Sequence, residues 1–132
     1  MSKVQREQYP EYAAYYQKLN QRFFSGELPE VPIMVTSGLV SDLPAAYCEY
    51  GETPGIEINH KFTRNKEKTA LYILYCMVEQ YAAIHKIMYF HLNYLHWSGD
   101  EPYFLEAMKH GFNEGYEPTE ETMEFIRNMV NK

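Results

Sequence analysis

One glutamate stands alone in the most apolar stretch of the chain. The segment Thr69 to Lys86 reads TALYILYCMVEQYAAIHK, apolar or aromatic from Ala70 to Val78, interrupted by Glu79-Gln80 and resumed at Ala82, Ala83 and Ile84. On a helix, Glu79 has Tyr75, Cys76, Ala82 and Ala83 three and four positions away. None is a cation, so a buried carboxylate here needs partners from elsewhere or a proton. Two readings follow. Glu79 lines a cleft, with Tyr75 and Ala82 beside it, and accepts a hydrogen bond from a ligand; or the Glu-Gln step marks the edge where the helix meets water, the ordinary meaning of a single carboxylate on such a helix. His85, His91 and His96 invite a metal reading. Their spacings of six and five residues do not bring them onto one helical face, so only a chain break near Asn93 lets His96 and Asp100 meet His85 or Glu79. Ordinary amphipathic or capping histidines are the simpler reading. Cys48 and Cys76 lack CxxC spacing and suggest neither a disulfide framework nor a zinc ribbon.

The elements that must position these groups follow from periodicity. A helix this apolar on every side is a core helix. One face carries Leu71, Leu74, Val78, Tyr81 and His85; another carries Ile73, Met77 and Ile84, and neighbours must cover both. Before it, the spacing of Tyr12, Tyr16, Leu19 and Phe23 predicts a helix from about Pro10 to Phe24, ended by Ser25-Gly26. Val31 to Thr36 is rich in β-branched residues and reads as a strand, with Pro32 at an edge or an entry position. Ala46 to Tyr50 and Gly55 to Phe62 flank the turn signal Gly51-Glu52-Thr53-Pro54 and should form a hairpin. In its second strand Ile56, Ile58, His60 and Phe62 alternate with Glu57, Asn59 and Lys61, which predicts one buried and one wet face, with His60 an inward structural histidine.

Asn65 is the expected cap of the central helix. Ile87 to Trp97 either extends that helix or breaks near Asn93, and its aromatic run Tyr89, Phe90, Tyr94 and Trp97 reads first as core and second as a contact surface. A further helix is expected from Tyr103 to His110, stopped by Gly111. Thr119 then caps a short amphipathic helix with Met123, Ile126 and Val130 facing inward. Helix, three strands, then helices is an α+β order.

At 132 residues, with 45% apolar and 23% charged content, the chain reads as a single domain over 1–132 with a core of its own. The net charge of −6 argues against direct nucleic-acid binding and against an acidic partner surface, while leaving a basic partner open. The acidic stretch Glu114 to Glu124 is first a solvated turn and helix start, second a patch for such a partner. The polar start MSKVQREQYPEY and the lack of a long apolar run predict no signal peptide, no membrane span and a reduced, cytoplasmic setting.

The element order, together with Leu19-Asn20-x-x-Phe23-Phe24-x-Gly26-x-Leu28-Pro29, Ile56-Glu57-Ile58-Asn59 and Phe104-Leu105-Glu106-Ala107-Met108, resembles the SprT-like (Spartan-type) zinc metalloprotease domain, most closely over residues 12–110. The resemblance implies a zincin-like fold: an opening helix, a small three-stranded sheet, a long buried central helix and C-terminal helices. It also implies that Glu79 corresponds to the glutamate of the HExxH motif. Val78-Glu79-Gln80-Tyr81-Ala82 then stands in place of that motif, with Asp100 near the position of the third ligand. A zincin needs two imidazoles one helical turn apart to hold zinc while the glutamate works on the bound water. Valine and alanine have no lone pairs to give. The implied reading is a pseudoprotease without a cofactor, with Glu79 a relic and Glu79, Tyr75, Ala82, His85, His96 and Asp100 lining a binding cleft for a protein partner. Two alternatives remain: a metal-dependent protease or hydrolase with rebuilt ligands, and a small acidic inhibitor of a nucleic-acid-processing enzyme.

Overall fold

The computed structural model describes residues 6–37, 44–50, 53–85, 107–113 and 117–131. They form an α+β arrangement around one hydrophobic core. The first helix, α1 (Pro10–Phe24), begins with Pro10 in its first turn, where no N–H is needed. Tyr12, Tyr16 and Leu19 are buried as the spacing predicts, but the last buried ring is Phe24, with Phe23 only partly covered. Ser25 and Gly26 take left-handed backbone and end the helix, with the Gly26 N–H returning to the Asn20 carbonyl at 3.0 Å.

The sheet has the order β1-β2-β4-β3. Its three expected strands are β2 (Ile33–Thr36), β3 (Ala45–Tyr50) and β4 (Thr53–Asn59). A three-residue strand, β1 (Arg6–Gln8), adds itself antiparallel to β2. Strand β2 runs parallel to β4, pairing Ile33 with Ile56 through Thr36 with Asn59, and β3 returns antiparallel to β4. Pro32 sits just before its strand, at the entry position. There its carbonyl accepts the Ile56 N–H at 3.0 Å, and a Cβ on Gly55 would come within 3.2 Å of that carbonyl oxygen. Glycine lets the two backbones approach.

Three expectations for the hairpin need correction. Pro54 belongs to the ladder opposite Glu49, not to the turn; it is tolerated because β2 pairs only with the later part of β4. The strand also stops before His60. The Asn59 side chain accepts the Lys61 N–H at 3.1 Å and turns the chain into a 3-10 segment (His60–Phe62) in which His60 is exposed. Finally, β4 has no wet face over Ile56 to Asn59. Ile56 and Ile58 are fully buried, yet Glu57 and Asn59, pointing the other way, are only 6% and 3% exposed. Alternation identifies the apolar face of a strand but cannot tell whether protein also covers the polar one.

The central helix α2 (Lys66–Ile84) starts where expected, the Asn65 side chain accepting the Lys68 N–H at 3.0 Å. Ile73, Leu74, Met77 and Val78 are fully buried. Burial fades towards the end of the helix, where Ile84 and His85 are exposed. The helix packs across β3 and β4 and against α1 and α3 (Glu120–Val130). Thr119 caps α3 as predicted, and Ile126, Met129 and Val130 are buried, whereas Met123 is partly covered. Of the expected helix from Tyr103 to His110, residues 107–109 are described and helical. It stops at Gly111, whose φ of 105° suits glycine alone; a Cβ there would meet Thr122 and Phe23 at 2.9 and 3.0 Å. Among the described residues no helix is long and apolar enough to cross a membrane.

Candidate functional site on the central helix

The candidate site is the stretch of α2 from Tyr75 to His85. Val78 and Ala82, one turn apart, are 0% and 1% exposed and pack into the core. Ala82 is therefore a packing position that presents no surface to a cleft, which corrects its place among the lining residues. Between them Glu79 keeps partial exposure, and among the described residues no hydrogen bond or ion pair reaches its carboxyl. Burial pushes its pKa up to about 8, because taking a carboxyl out of water disfavours its charged form. At neutral pH the group is mostly the neutral acid, able both to donate and to accept a hydrogen bond.

The expectation that Glu79-Gln80 forms one solvent-facing step fails at Gln80, which is 0% exposed. Its Nε2 donates to the Pro29 carbonyl at 2.9 Å, and its Oε1 lies 2.8 Å from the Tyr16 hydroxyl, which is also 2.7 Å from that carbonyl. One phenolic proton is shared between two acceptors, and the amide closes the triangle. The loop that brings Pro29 here is held by Asn20, whose side chain donates to the Leu28 carbonyl at 2.9 Å and accepts the Leu28 N–H at 3.2 Å. Tyr16, Asn20, Leu28, Pro29 and Gln80 thus form one structural unit joining α1, the loop after it and α2.

Tyr75, one turn before Glu79, is partly buried, with its ring stacked on Phe112 at 4.4 Å. Burial, and secondly the charge of Glu117, raise its phenol pKa. His85 is exposed and its ring lies 4.1 Å from Tyr81; the Tyr81 ring in turn lies 4.6 Å from His110. His110, expected only as a helix end, is buried. Its ring is stacked on Phe24 at 4.3 Å, and its Nδ1 donates to the Phe23 carbonyl at 2.7 Å, an arrangement that fixes the tautomer. Nothing local in the sequence separates His110 from an exposed C-terminal histidine; the partners are 87 positions away.

His91, His96, Asp100 and the aromatic run Tyr89 to Trp97 lie outside the described residues. Among the described residues no three His, Cys, Asp or Glu side chains come together as a metal site. Cys76 is a buried free thiol. Chemically the stretch offers one neutral carboxylic acid on an apolar wall with a tyrosine one turn away, an arrangement suited to hydrogen bonding. No family model matches the sequence, and neither a curated protein nor a solved structure matches it.

Proposed function

We propose that the chain is a catalytically inactive, SprT-like pseudoprotease that works as a protein-interaction module. The observation that carries this is the pair Val78 and Ala82, apolar and fully packed at the two positions flanking Glu79 where the resemblance puts imidazoles. Neither side chain has a lone pair, and an acid that is protonated at neutral pH makes a poor base but a good hydrogen-bonding group. The element order, with α2 packed on the strands that precede it, supports the same reading. On this view Glu79 and Tyr75 contribute to a contact surface for another protein.

The test is metal analysis of untagged protein alongside an assay for chelator-sensitive cleavage of unfolded polypeptide. Zinc far below stoichiometric and no cleavage are expected. Near-stoichiometric zinc that is lost in Glu79→Gln or His85→Ala would instead establish a hydrolase with rebuilt ligands. Once a partner is isolated from the native host and reconstituted, Glu79→Gln should weaken its binding tenfold or more, about 1.4 kcal/mol. Unchanged affinity would remove Glu79 from the surface.

A further inference from the structure

Helices α1 and α3 leave between them an open groove of about 800 Å³ whose floor is Phe125 and Met129. Its α1 wall carries Lys18 and Arg22, and no carboxylate among the described residues lines it, although the chain as a whole has a net charge of −6. Like charges one helical turn apart oppose each other unless something neutralises them, and among the described residues neither cation has an ion-pair partner. Arg22 is already positioned. Its guanidinium lies 5.3 Å from the Phe23 ring centroid and 5.8 Å from that of Phe125, so little freedom is lost when it meets a carboxylate.

The complementary charge is on the same face. One turn before Phe125 and Asn128, both in the groove, α3 carries Glu121 and Glu124, exposed and likewise without an ion-pair partner among the described residues. A patch with a basic stretch on one helix, an acidic stretch on the next and an apolar floor is self-complementary under a two-fold rotation. Each copy's glutamates then meet the other's lysine and arginine.

We infer that the α1–α3 groove is the interface of a homodimer, in which Glu121 and Glu124 of each copy pair with Lys18 and Arg22 of the other over the Phe125 and Met129 floor. This surface shares no residue with the Glu79 site, and the inference does not depend on the reading of that site. Net charge disfavours self-association at long range, but at physiological salt that repulsion is screened within about 8 Å, and contact is decided by the charges that meet.

The experiment is sedimentation velocity on the full chain over a wide concentration range. Wild type is expected to pass from monomer to dimer, less readily as salt rises. Lys18→Glu/Arg22→Glu and Glu121→Lys/Glu124→Lys should each weaken the dimer tenfold or more, and mixing the two variants should restore it as a heterodimer. All four side chains are exposed, so folding of the variants is expected and is checked by circular dichroism; if either double variant does not fold, Arg22→Gln serves in its place and should weaken the dimer. A chain that stays monomeric at every concentration overturns the inference, as does a dimer indifferent to the substitutions. Binding of an acidic peptide or an oligonucleotide by a chain that remains monomeric would give the groove to another partner and overturn it equally.

Discussion

Glu79 and Gln80 are neighbours on α2 and differ by an acid against its amide, yet the fold treats them in opposite ways. A helical step of about 100° turns Gln80 towards α1 and the Pro29 loop, where both ends of its amide are used. Glu79, turned away from that unit, has its pKa raised by burial, and no hydrogen bond or ion pair from the described residues reaches its carboxyl. Burial as such is therefore not the cost of a polar group in this core. What matters is whether the partners are built in: Gln80 has them, while among the described residues Glu79 has none.

Putting the acid in the satisfied position should be the most damaging change. In Gln80→Glu the carboxylate can no longer donate to the Pro29 carbonyl and becomes a buried, uncompensated charge, which should cost about 3–5 kcal/mol at pH 8. Protonation restores a donor of the same shape. The loss should therefore shrink as the pH falls towards 4, as measured by urea unfolding across that range. A small, pH-independent loss would mean that the Tyr16–Gln80–Pro29 unit is loose.

Why Gln80 was not legible in the sequence, while much of the scaffold was, comes down to distance along the chain. Pro10, Asn65, Thr119 and the pair Ser25-Gly26 announce helix ends because their effect is on the adjacent backbone. Period alone gives Tyr12, Tyr16 and Leu19 of α1 and Ile126 and Val130 of α3; it does not give the burial of Tyr15, Phe24 or Met129, and it turns inward Phe23 and Met123, which are only partly covered. The partners of Gln80 lie 51 and 64 positions away, and those of His110 lie further still. Strand β1 was missed for a related reason. Arg6-Glu7-Gln8 has no alternation to read, and its place in the sheet is set by antiparallel pairing with β2, some thirty positions away. The stretch Leu19 to Pro29, which carried part of the family resemblance, has a local explanation in the Asn20 clamp on Leu28 and the turn at Ser25-Gly26.

The reverse exchange sharpens the contrast. In Glu79 the folded pKa, about 8, lies above the ordinary 4.5, so the folded state binds the extra proton between those values. The stability associated with that proton is fully present below pH 4.5 and lost as the pH rises through 8. Glu79→Gln makes the neutral form permanent. The variant should match wild type near pH 4.5 and be more stable by about 2 kcal/mol at pH 8, a value set well below the full linkage because the residue keeps some access to water. Parallel pH profiles for the two proteins would show that Glu79 is solvated after all.

Tyr16→Phe is the smallest of the three perturbations and the one that reports on coupling. Burial, first, and the charge of Glu30 raise the phenol, while its bond to Gln80 lowers it, leaving a value of about 12, so it stays protonated and its contribution is flat with pH. Removing the hydroxyl leaves the Pro29 carbonyl with the Gln80 Nε2 donor but takes from the Gln80 Oε1 the phenol that serves it. A loss of about 1 kcal/mol is expected. Gln80→Leu alone should cost more, since it strips the carbonyl and the phenol of one partner each; once it is made, the hydroxyl retains only Pro29. Removing Tyr16's hydroxyl should then cost a different amount when Gln80→Leu is already in place, giving a coupling energy of about 0.5–1 kcal/mol in a double-mutant cycle. Strict additivity would mean that the three groups are adjacent but independent, and the contrast with Glu79 would then rest on packing around Gln80 and not on its hydrogen bonds.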